Sequence, residues 1–383
     1  MGLSPTHKTI TVTGTNGKGS VAKTLESILT AAGIHAGAFT SPHLVSYRER
    51  ISLGQDLVSE RMLAEALSFV EEARGETSLT YFEFSALAAL WIFQQRGIEA
   101  AVLEVGLGGR LDAVNILDAD VAVVTTVDID HTQYLGETKE DIAREKAGIF
   151  RPGRPVVYGD DEPPQAISRR ARALGCPLWL CGQDFQFQRE NEEEWVFAAG
   201  ERKWVLPAPR LFGDHQVRNA ATAIAALLAG GFPVSHQDMI EGLEHVRLPG
   251  RFQVLKHNPT IVADVAHNPQ AARVLAENLK KLEKKRTLAL CSLLADKDIE
   301  GVIKAMDPVA DIWAVAPLDF FRAPPLKRLE NAVREVTGKL PLVFPSVQEG
   351  FSSLSSSLLP GDVLVVFGSF HTVGEALLCH GSP

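Results

Sequence analysis

The chain has 383 residues, 45% of them hydrophobic and 22% charged, the balance of a folded protein with two domains of ordinary size rather than a disordered one. A formal net charge of −9 argues against a nucleic-acid-coating surface, which needs a basic excess, yet permits a local basic loop for a small anion. Cys176, Cys181, Cys291 and Cys379 show neither metal-ligand spacing nor a disulfide framework, and no apolar run approaches a membrane span; a cytoplasmic protein without nucleic-acid or membrane partners is expected.

Met1–Thr6 formally fits a myristoylation pattern, read as accidental because the segment runs almost at once into a strand that should be buried. Thr9–Thr13 is that strand, β-branched and ended by glycine. Val21–Ala32 carries apolar residues at helical spacing and stops at Gly33. Ala36–Phe39 is a further short apolar segment. Ala100–Val105 and Val121–Val127 are nearly continuous apolar runs, which suit a parallel sheet covered on both faces. Helices are expected near Met62–Ala73, Phe84–Gln95 and Lys139–Ile149. The pattern weakens over Asp160–Gln188, Glu190–Glu194 reads as a solvated turn, and Trp195–Leu206 as a small β excursion before an alanine-rich helix at Asn219–Gly230. A second α/β stretch begins near Leu248–Arg251. Its strands are expected at Thr260–Val265, Thr287–Leu293, Asp311–Ala316, Leu340–Phe344 and Val363–Phe367, with helices at Pro269–Leu282 and Pro324–Thr337. The class is α/β: an N-terminal, P-loop-type, mostly parallel-sheet domain over 1–248 and a smaller Rossmann-like α/β domain over 249–383, hinged at Pro249-Gly250.

Thr13-Gly14-Thr15-Asn16-Gly17-Lys18-Gly19-Ser20 lies between a strand and a helix, where backbone amides and a helix N-terminus can hold a phosphate chain. Lys18 supplies a charge for the outer phosphates, and Ser20 a hydroxyl for them or their metal. The spacing departs from the common P-loop, because two residues rather than four separate Gly14 from Gly17 and Gly19 stands between Lys18 and Ser20. Ser20, Ser41, Glu104 and His131 all fall just past the carboxyl ends of expected parallel strands, the edge where α/β sheets bind ligands. A carboxylate at a buried strand end needs a partner or a metal. One hydroxyl, one carboxylate and one imidazole beside a phosphate loop suit Mg²⁺, although imidazole is an unusual ligand for so hard a cation.

At this point the sequence resembles the folylpolyglutamate synthase family, folate branch of the Mur ligases. The resemblance rests on Thr13–Ser20, Leu103–Asp112, Asp130-His131-Thr132, Arg144–Gly148, Leu248–Phe252, Asp264–Pro269 and Gly368–Thr372, and runs from about Thr9 to Gly374. Gly19 separates this branch from the cell-wall ligases. The resemblance implies an ADP-forming ligase that joins L-glutamate to dihydropteroate or a reduced folate through an acyl phosphate. It implies ATP, two Mg²⁺ and K⁺ as cofactors and a monomer. It further implies that Thr15, Asn16, Gly17, Lys18, Gly19, Ser20, Asn219, Arg251 and Asp264 bind ATP, the last three across a domain cleft that closes around the hinge. Ser41, Glu104 and His131 would ligate metal. Lys146 matches a lysine carbamylated in the family, where residue type alone favours an exposed helix lysine. Thr80, Phe82, Leu111, Asp112 and Ala113 would bind the pteroate, with Thr80–Glu83 supplying aromatic surface for the pterin. His267 and Ser369 fall on the glutamate side. Val114 departs from the small hydroxyl residue usual there. Family members usually carry a few dozen further residues before the first strand, which contribute to dihydropteroate binding; a folylpolyglutamate synthase with weakened dihydropteroate activity is therefore a second expectation. An ATP-hydrolysing, nucleotide-dependent binding protein is a third, from a different class.

Overall fold

The computed structural model describes residues 2–3 and 6–381. Met1, Ser4 and Pro5 of the N-terminal Met1–Thr6 pattern lie outside the described residues. Its contacts divide the chain into two units. The first comprises Met1–His43, Tyr47–Arg210 and Asp214–Leu248; the second comprises Leu44–Ser46, Leu211–Gly213 and Pro249–Pro383.

In unit 1 the elements run β1 (Lys8–Thr13), α1 (Lys18–Ala31), β2 (Ala36–Phe39), β3 (Ile51–Leu53), β4 (Asp56–Leu57), α2 (Glu60–Arg74), α3 (Tyr81–Arg96), β5 (Ala100–Glu104), β6 (Val121–Val124), α4 (Thr132–Leu135) and α5 (Lys139–Lys146). They continue with β7 (Val156–Tyr158), α6 (Gln165–Ala173), β8 (Leu178–Leu180), β9 (Phe185–Arg189), β10 (Glu194–Ala199), β11 (Arg202–Pro207), α7 (Asp214–Ala229) and α8 (His236–His245). The main sheet has the order β4-β3-β2-β5-β1-β6-β7-β8; it is parallel except where β3 and β4 pair antiparallel at one edge. β1 sits between β5 and β6, so the loop that leaves it emerges at the centre of the sheet. The middle strands are buried on both faces, as their unbroken apolar sequences require.

The helix after β1 is almost wholly buried, and α7 and α8 pack on it. Gly242 permits that closeness: a Cβ there would stand 2.6 Å from the Ile28 Cα. α1 also carries a buried polar cluster. The Lys23 amine donates to Glu26 (2.9 Å) and to the Ser52 hydroxyl (2.6 Å), and Ser52 donates to the other Glu26 oxygen (2.7 Å). This cluster fastens the helix after the loop to the β3–β4 hairpin.

Several boundaries differ from the sequence expectation. α1 starts three residues earlier, directly after Gly17, and β6 stops at Val124 rather than Val127. The expected helix to Ile149 ends at Lys146 and tightens into a 3₁₀ turn over Ala147–Ile149. The weakly patterned stretch supplies α6, β8 and β9, the last joining β10 and β11 in a small antiparallel sheet. Between β9 and β10, Asn191 caps the Glu190–Glu194 turn, its side-chain oxygen accepting from the Glu193 and Glu194 amides.

Unit 2 comprises β12 (Gln253–Lys256), β13 (Thr260–Asp264), α9 (Pro269–Lys280), β14 (Arg286–Cys291), α10 (Ile299–Met306), β15 (Ile312–Val315), α11 (Leu326–Thr337), β16 (Leu342–Val343), α12 (Val347–Ser357), β17 (Asp362–Phe367) and α13 (Phe370–His380). Its sheet has the order β12-β13-β17-β14-β15-β16, parallel except for β12, with a core on each face. Ser352–Ser357 ends α12. Gly250 adopts φ 71°, and its carbonyl accepts from Val265.

Removing one partner of a buried ion pair strands the other, at a cost of about 3–5 kcal/mol. Glu26→Ala is therefore expected to lower the stability of unit 1 by that amount, read as a fall in its denaturant midpoint; an unchanged midpoint would show that the cluster holds nothing together.

Candidate active site

β1 ends at Thr13, and the loop that follows is tied to the end of β6. The Thr15 amide donates to Thr126 O (2.8 Å) and the Asn16 amide to Thr126 Oγ1 (3.1 Å), while Thr125 Oγ1 donates to Asn16 O (2.5 Å). Thr15 Oγ1 donates to Asp128 O (3.0 Å) and accepts from the Asp128 amide (2.9 Å). Two glycines allow this fit. A Cβ at Gly14 would stand 1.8 Å from Thr125 Oγ1, and at Gly17, with φ 86°, 2.6 Å from the Asn219 side-chain oxygen. α1 then starts at Lys18, so Lys18, Gly19 and Ser20 form its first turn, whose amides lack intrahelical acceptors and carry the positive end of the helix dipole. The Lys18 amine folds back to donate to Gly14 O (3.0 Å) and Thr15 O (3.2 Å).

Around the loop stand the ends of the neighbouring strands. Glu104 is the last residue of β5, only 4% exposed, and accepts from the Ser41 amide at 2.9 Å. Asp112 caps the turn Ala113–Ile116 through Val114 N and accepts from the Gly106 and Leu107 amides, both at 3.0 Å. Burial raises its pKa, opposed by those amides and by the charge of Lys18. Thr13 Oγ1 donates to Gly108 O (2.6 Å), which pins the glycine-rich turn against the start of the loop.

His131 stands elsewhere than expected. β6 ends seven residues earlier, and His131 takes a left-handed φ of 51° at the start of α4, its Nε2 3.9 Å from Asp130 Oδ2. Lys146, the last residue of α5, is 3% exposed, not an exposed helix lysine. Burial lowers its amine pKa to about 7; the positive charge of Lys18 acts in the same direction and Asp130 against it. Lys18, Lys146, Asp112 and Asp130 thus share one electrostatic neighbourhood. Among the described residues no three His, Cys, Asp or Glu side chains converge as a metal cage. Glu104, a lone carboxylate at the strand end beside the loop, suits instead a hard cation that takes few protein ligands and completes its shell with phosphate and water.

A cleft of about 350 Å³ is bounded by Leu79, Leu87, Arg110, Leu111, Asp112 and Ile116. A second of about 320 Å³ shares Leu79 and adds Tyr47, Leu67, Thr80, Tyr81 and Phe84. Leu111 (81% exposed) and Ala113 belong to the first. Thr80 caps α3 in a reciprocal box, accepting from Glu83 N while Glu83 accepts from Thr80 N. Phe82 packs on Phe39 and over Gly106 (a Cβ there would lie 2.8 Å from its ring), so the open aromatic surface belongs to Tyr81 (60% exposed) and Tyr47. Tyr47, which sequence reasoning missed, opens a 3₁₀ turn of charged residues (Tyr47–Arg50) before β3 and carries no signal beyond its ring. Val114 is buried in the core. Asn219 bonds Gln216 (2.9 Å) and lies against Gly17.

In unit 2, Asp264 ends β13 and accepts from the Phe252 (2.7 Å) and Ala266 (2.8 Å) amides; burial raises its pKa, and Arg251 opposes that rise. The Arg251 guanidinium stacks 5.2 Å above Phe370. The His267 ring bonds Val265 O (2.8 Å), and the Ser369 hydroxyl caps α13 through Thr372 N (3.0 Å).

A strand, a glycine loop and a helix at the centre of a parallel sheet, beside a buried carboxylate and lysine and followed by a second α/β unit, define a phosphate-binding protein of the ligase type. Two family models match: "Mur ligase middle domain" over residues 12–227 and "Mur ligase, glutamate ligase domain" over 250–370. The Escherichia coli dihydrofolate synthase/folylpolyglutamate synthase is 42% identical over 98% of this chain and 87% of its own length; the Haemophilus influenzae protein of the same name is 40% identical over 97% and 89%. The E. coli FolC structure in complex with DHPP and ADP superposes with TM-score 0.92 at 42% identity, covering 98% of this chain and 89% of that one. A bifunctional folylpolyglutamate synthase/dihydrofolate synthase with Mn, AMPPNP and L-glutamate bound gives TM-score 0.92 at 40% identity, with 98% and 90% covered. The chain belongs to the dihydrofolate synthase/folylpolyglutamate synthase family of the Mur ligases.

Lys146 titrates near 7 when folded and near its ordinary 10.5 when unfolded, so the unfolded chain binds more protons between those values. Stability is therefore expected to rise with pH from about 7 toward 10, on the order of a few kcal/mol in CO₂-free buffer, and Lys146→Met to flatten that rise. Denaturant midpoints at pH 7 and 9.5 check it; parallel profiles for both proteins would place the amine in water.

Proposed function

We infer that the chain is an ATP-dependent, ADP-forming ligase that adds L-glutamate to dihydropteroate and to reduced folates. The observation that carries the reading is the meeting, in one unit, of the glycine loop, the buried Glu104 and the buried Lys146, its amine pKa lowered to about 7, beside an apolar cleft. Relatives at 40–42% identity bear that double name, and their structures hold ADP, DHPP or L-glutamate.

In this reading the loop amides and Lys18 hold the triphosphate, with Thr15, Asn16, Gly17, Gly19, Ser20 and Asn219 around it. ATP phosphorylates the acceptor carboxylate, the glutamate amine attacks the resulting acyl phosphate, and phosphate leaves. Ser41, Glu104 and His131 would hold a divalent cation, which neutralises charge on the transferred phosphoryl group. Lys18 does the same from the protein side, its amine already directed at the loop by Gly14 and Thr15. An amine pKa lowered to about 7 makes the neutral form, the one that adds CO₂, readily accessible at physiological pH; a carbamate on Lys146 would contribute a carboxylate to a second cation. Leu111, Asp112, Ala113, Thr80 and Phe82 are assigned to the acceptor, Arg251 and Asp264 to the nucleotide, and His267 and Ser369 to glutamate. Asp112, Thr80 and Ser369 have oxygens engaged by backbone amides, so their contribution is to shape the walls of the site.

Mg²⁺ as the cation, K⁺ as an activator and a monomeric state belong to the same proposal; cation-omission assays and light scattering test them. The cytoplasm is the compartment proposed, in keeping with four free cysteines. Among the described residues no helix is long and apolar enough to cross a membrane.

ADP release is expected with ATP, Mg²⁺, L-glutamate and either dihydropteroate or tetrahydrofolate. Release with the folate alone would leave a folylpolyglutamate synthase; release without any acceptor would favour a nucleotide-hydrolysing binding protein. Lys18→Ala should lower kcat about a hundredfold or more. With ¹³CO₂, a carbamate resonance is expected from the parent protein and absent from Lys146→Met.

A further inference from the structure

Arg50 has no role in the site as described so far. It precedes β3, its carbonyl accepts from the Thr40 amide (2.9 Å), and Thr40 adjoins Ser41, whose own amide bonds Glu104. The residue is 7% exposed. Its Nε donates to His43 Nδ1 at 2.9 Å, which fixes that imidazole nitrogen as an acceptor. Its guanidinium carbon lies 5.6 Å from the centre of the Tyr47 ring and 5.1 Å from that of Tyr81. Tyr47 in turn donates to Ser85 (2.6 Å), and Ser85 to the Tyr81 backbone carbonyl (2.7 Å), so the Tyr47 ring is tied to the first turn of α3.

Among the described residues no carboxylate pairs with Arg50, and no protein group accepts from its two terminal nitrogens. A guanidinium carries five donors, of which one is used here. A buried cation with no counter-charge is costly, and ring faces offset only part of that cost. The expense is explicable if an anion from outside the chain completes the arrangement. The two rings that face the group, themselves packed edge to face with centroids 5.7 Å apart, also line the second cleft, together with Thr80, Leu67, Leu79 and Phe84.

We propose that Arg50 receives the carboxylate of the pteroyl acceptor, in a clamp built by Tyr47, Tyr81 and His43. The proposal rests on the ligase reading above. The triphosphate has its own cation in Lys18, four residues past the first loop glycine. Dihydropteroate entering an aromatic cleft ring-first presents one strongly anionic group, its benzoate carboxylate. A planar guanidinium with two free terminal nitrogens matches a carboxylate in a two-pronged bond, a geometry that lysine lacks. Holding the carboxylate there would fix the oxygen to be phosphorylated relative to Ser41 and Glu104, two residues of the same strand edge.

The test compares pteroate with its carboxamide, which keeps the rings and loses the charge. Calorimetric titration is done on the full chain with each ligand and, separately, with AMPPNP and Mg²⁺. Arg50→Gln is expected to weaken pteroate about tenfold to a hundredfold, the carboxamide less than twofold, and AMPPNP not at all. Arg50→Lys should recover part of the pteroate affinity at low salt, because charge returns without the fork. Equal losses for pteroate and carboxamide, or unchanged pteroate binding, would overturn the proposal. So would a loss of AMPPNP affinity in step with pteroate, which would make Arg50 a scaffold or a nucleotide residue. Should Arg50→Gln fail to fold, the ratio of the two ligands' losses in Arg50→Lys decides in the same way. Failure of the parent protein to bind pteroate at all would instead sink the ligase reading itself.

Discussion

The site depends on the bracing of the glycine loop by the end of β6. Thr125 still donates its amide to Thr13, but its hydroxyl and the carbonyl and hydroxyl of Thr126 are spent on Thr15 and Asn16. That exchange explains why the strand stops at Val124 although its apolar sequence runs on to Val127. It also explains the need for glycine at position 14, where any Cβ would enter the Thr125 hydroxyl. A loop saturated with bonds on its β6 side keeps its shape without a ligand, and preorganised amides need little rearrangement when charge develops. Lys23, Glu26 and Ser52 extend the bracing along α1 to the far edge of the sheet.

Charge is the second constraint. Lys18 and Lys146 lie close enough for each to feel the other, and two ammonium groups in a largely buried place would repel. Burial eases this by lowering the Lys146 amine pKa to about 7, the charge of Lys18 acting in the same direction. Asp112 and Asp130 moderate the balance from either side. Position separates the two lysines: Lys18 opens α1 at the glycine loop, and Lys146 is buried at the end of α5.

Much of this was legible in the sequence. Continuous apolar runs marked β1, β5, β6 and most of unit 2, because a strand covered on both faces has no polar alternation to confuse the pattern. The glycine loop and the Gly-rich turn after Glu104 were visible as residue types. The burial of Lys146 was not, since it depends on α5 ending where Gly109 lets the chain approach: a Cβ there would lie 3.1 Å from the Lys146 carbonyl oxygen. His131 was placed at a strand end because Val121–Val127 looked like one strand; threonine bonding to a distant loop leaves no periodic trace. α8 was missed although Ser235 and Asp238 form a capping box, for its ten residues are polar on most sides. Arg50 and Tyr47 escaped notice because a lone arginine usually sits on the surface, and only burial without a counter-charge sets this one apart.

The first turn of α3 shows how closely acceptor and phosphate regions are joined. Thr80 closes the helix cap with Glu83, and so sets the direction in which Tyr81 and Phe82 leave the backbone. Tyr81 turns to the second cleft and faces Arg50. Phe82 packs over Gly106, two residues beyond Glu104, in a place that only glycine leaves open. A shift of this turn would therefore move the aromatic wall of the cleft, the arginine beside it and the backbone after the buried carboxylate together. Phe82, assigned to the acceptor, is thereby braced between Phe39 and Gly106, while its neighbour Tyr81 takes the more exposed position. Coupling of this kind follows from packing, because a ring held on one side by Phe39 and on the other by Gly106 has no room to adjust alone.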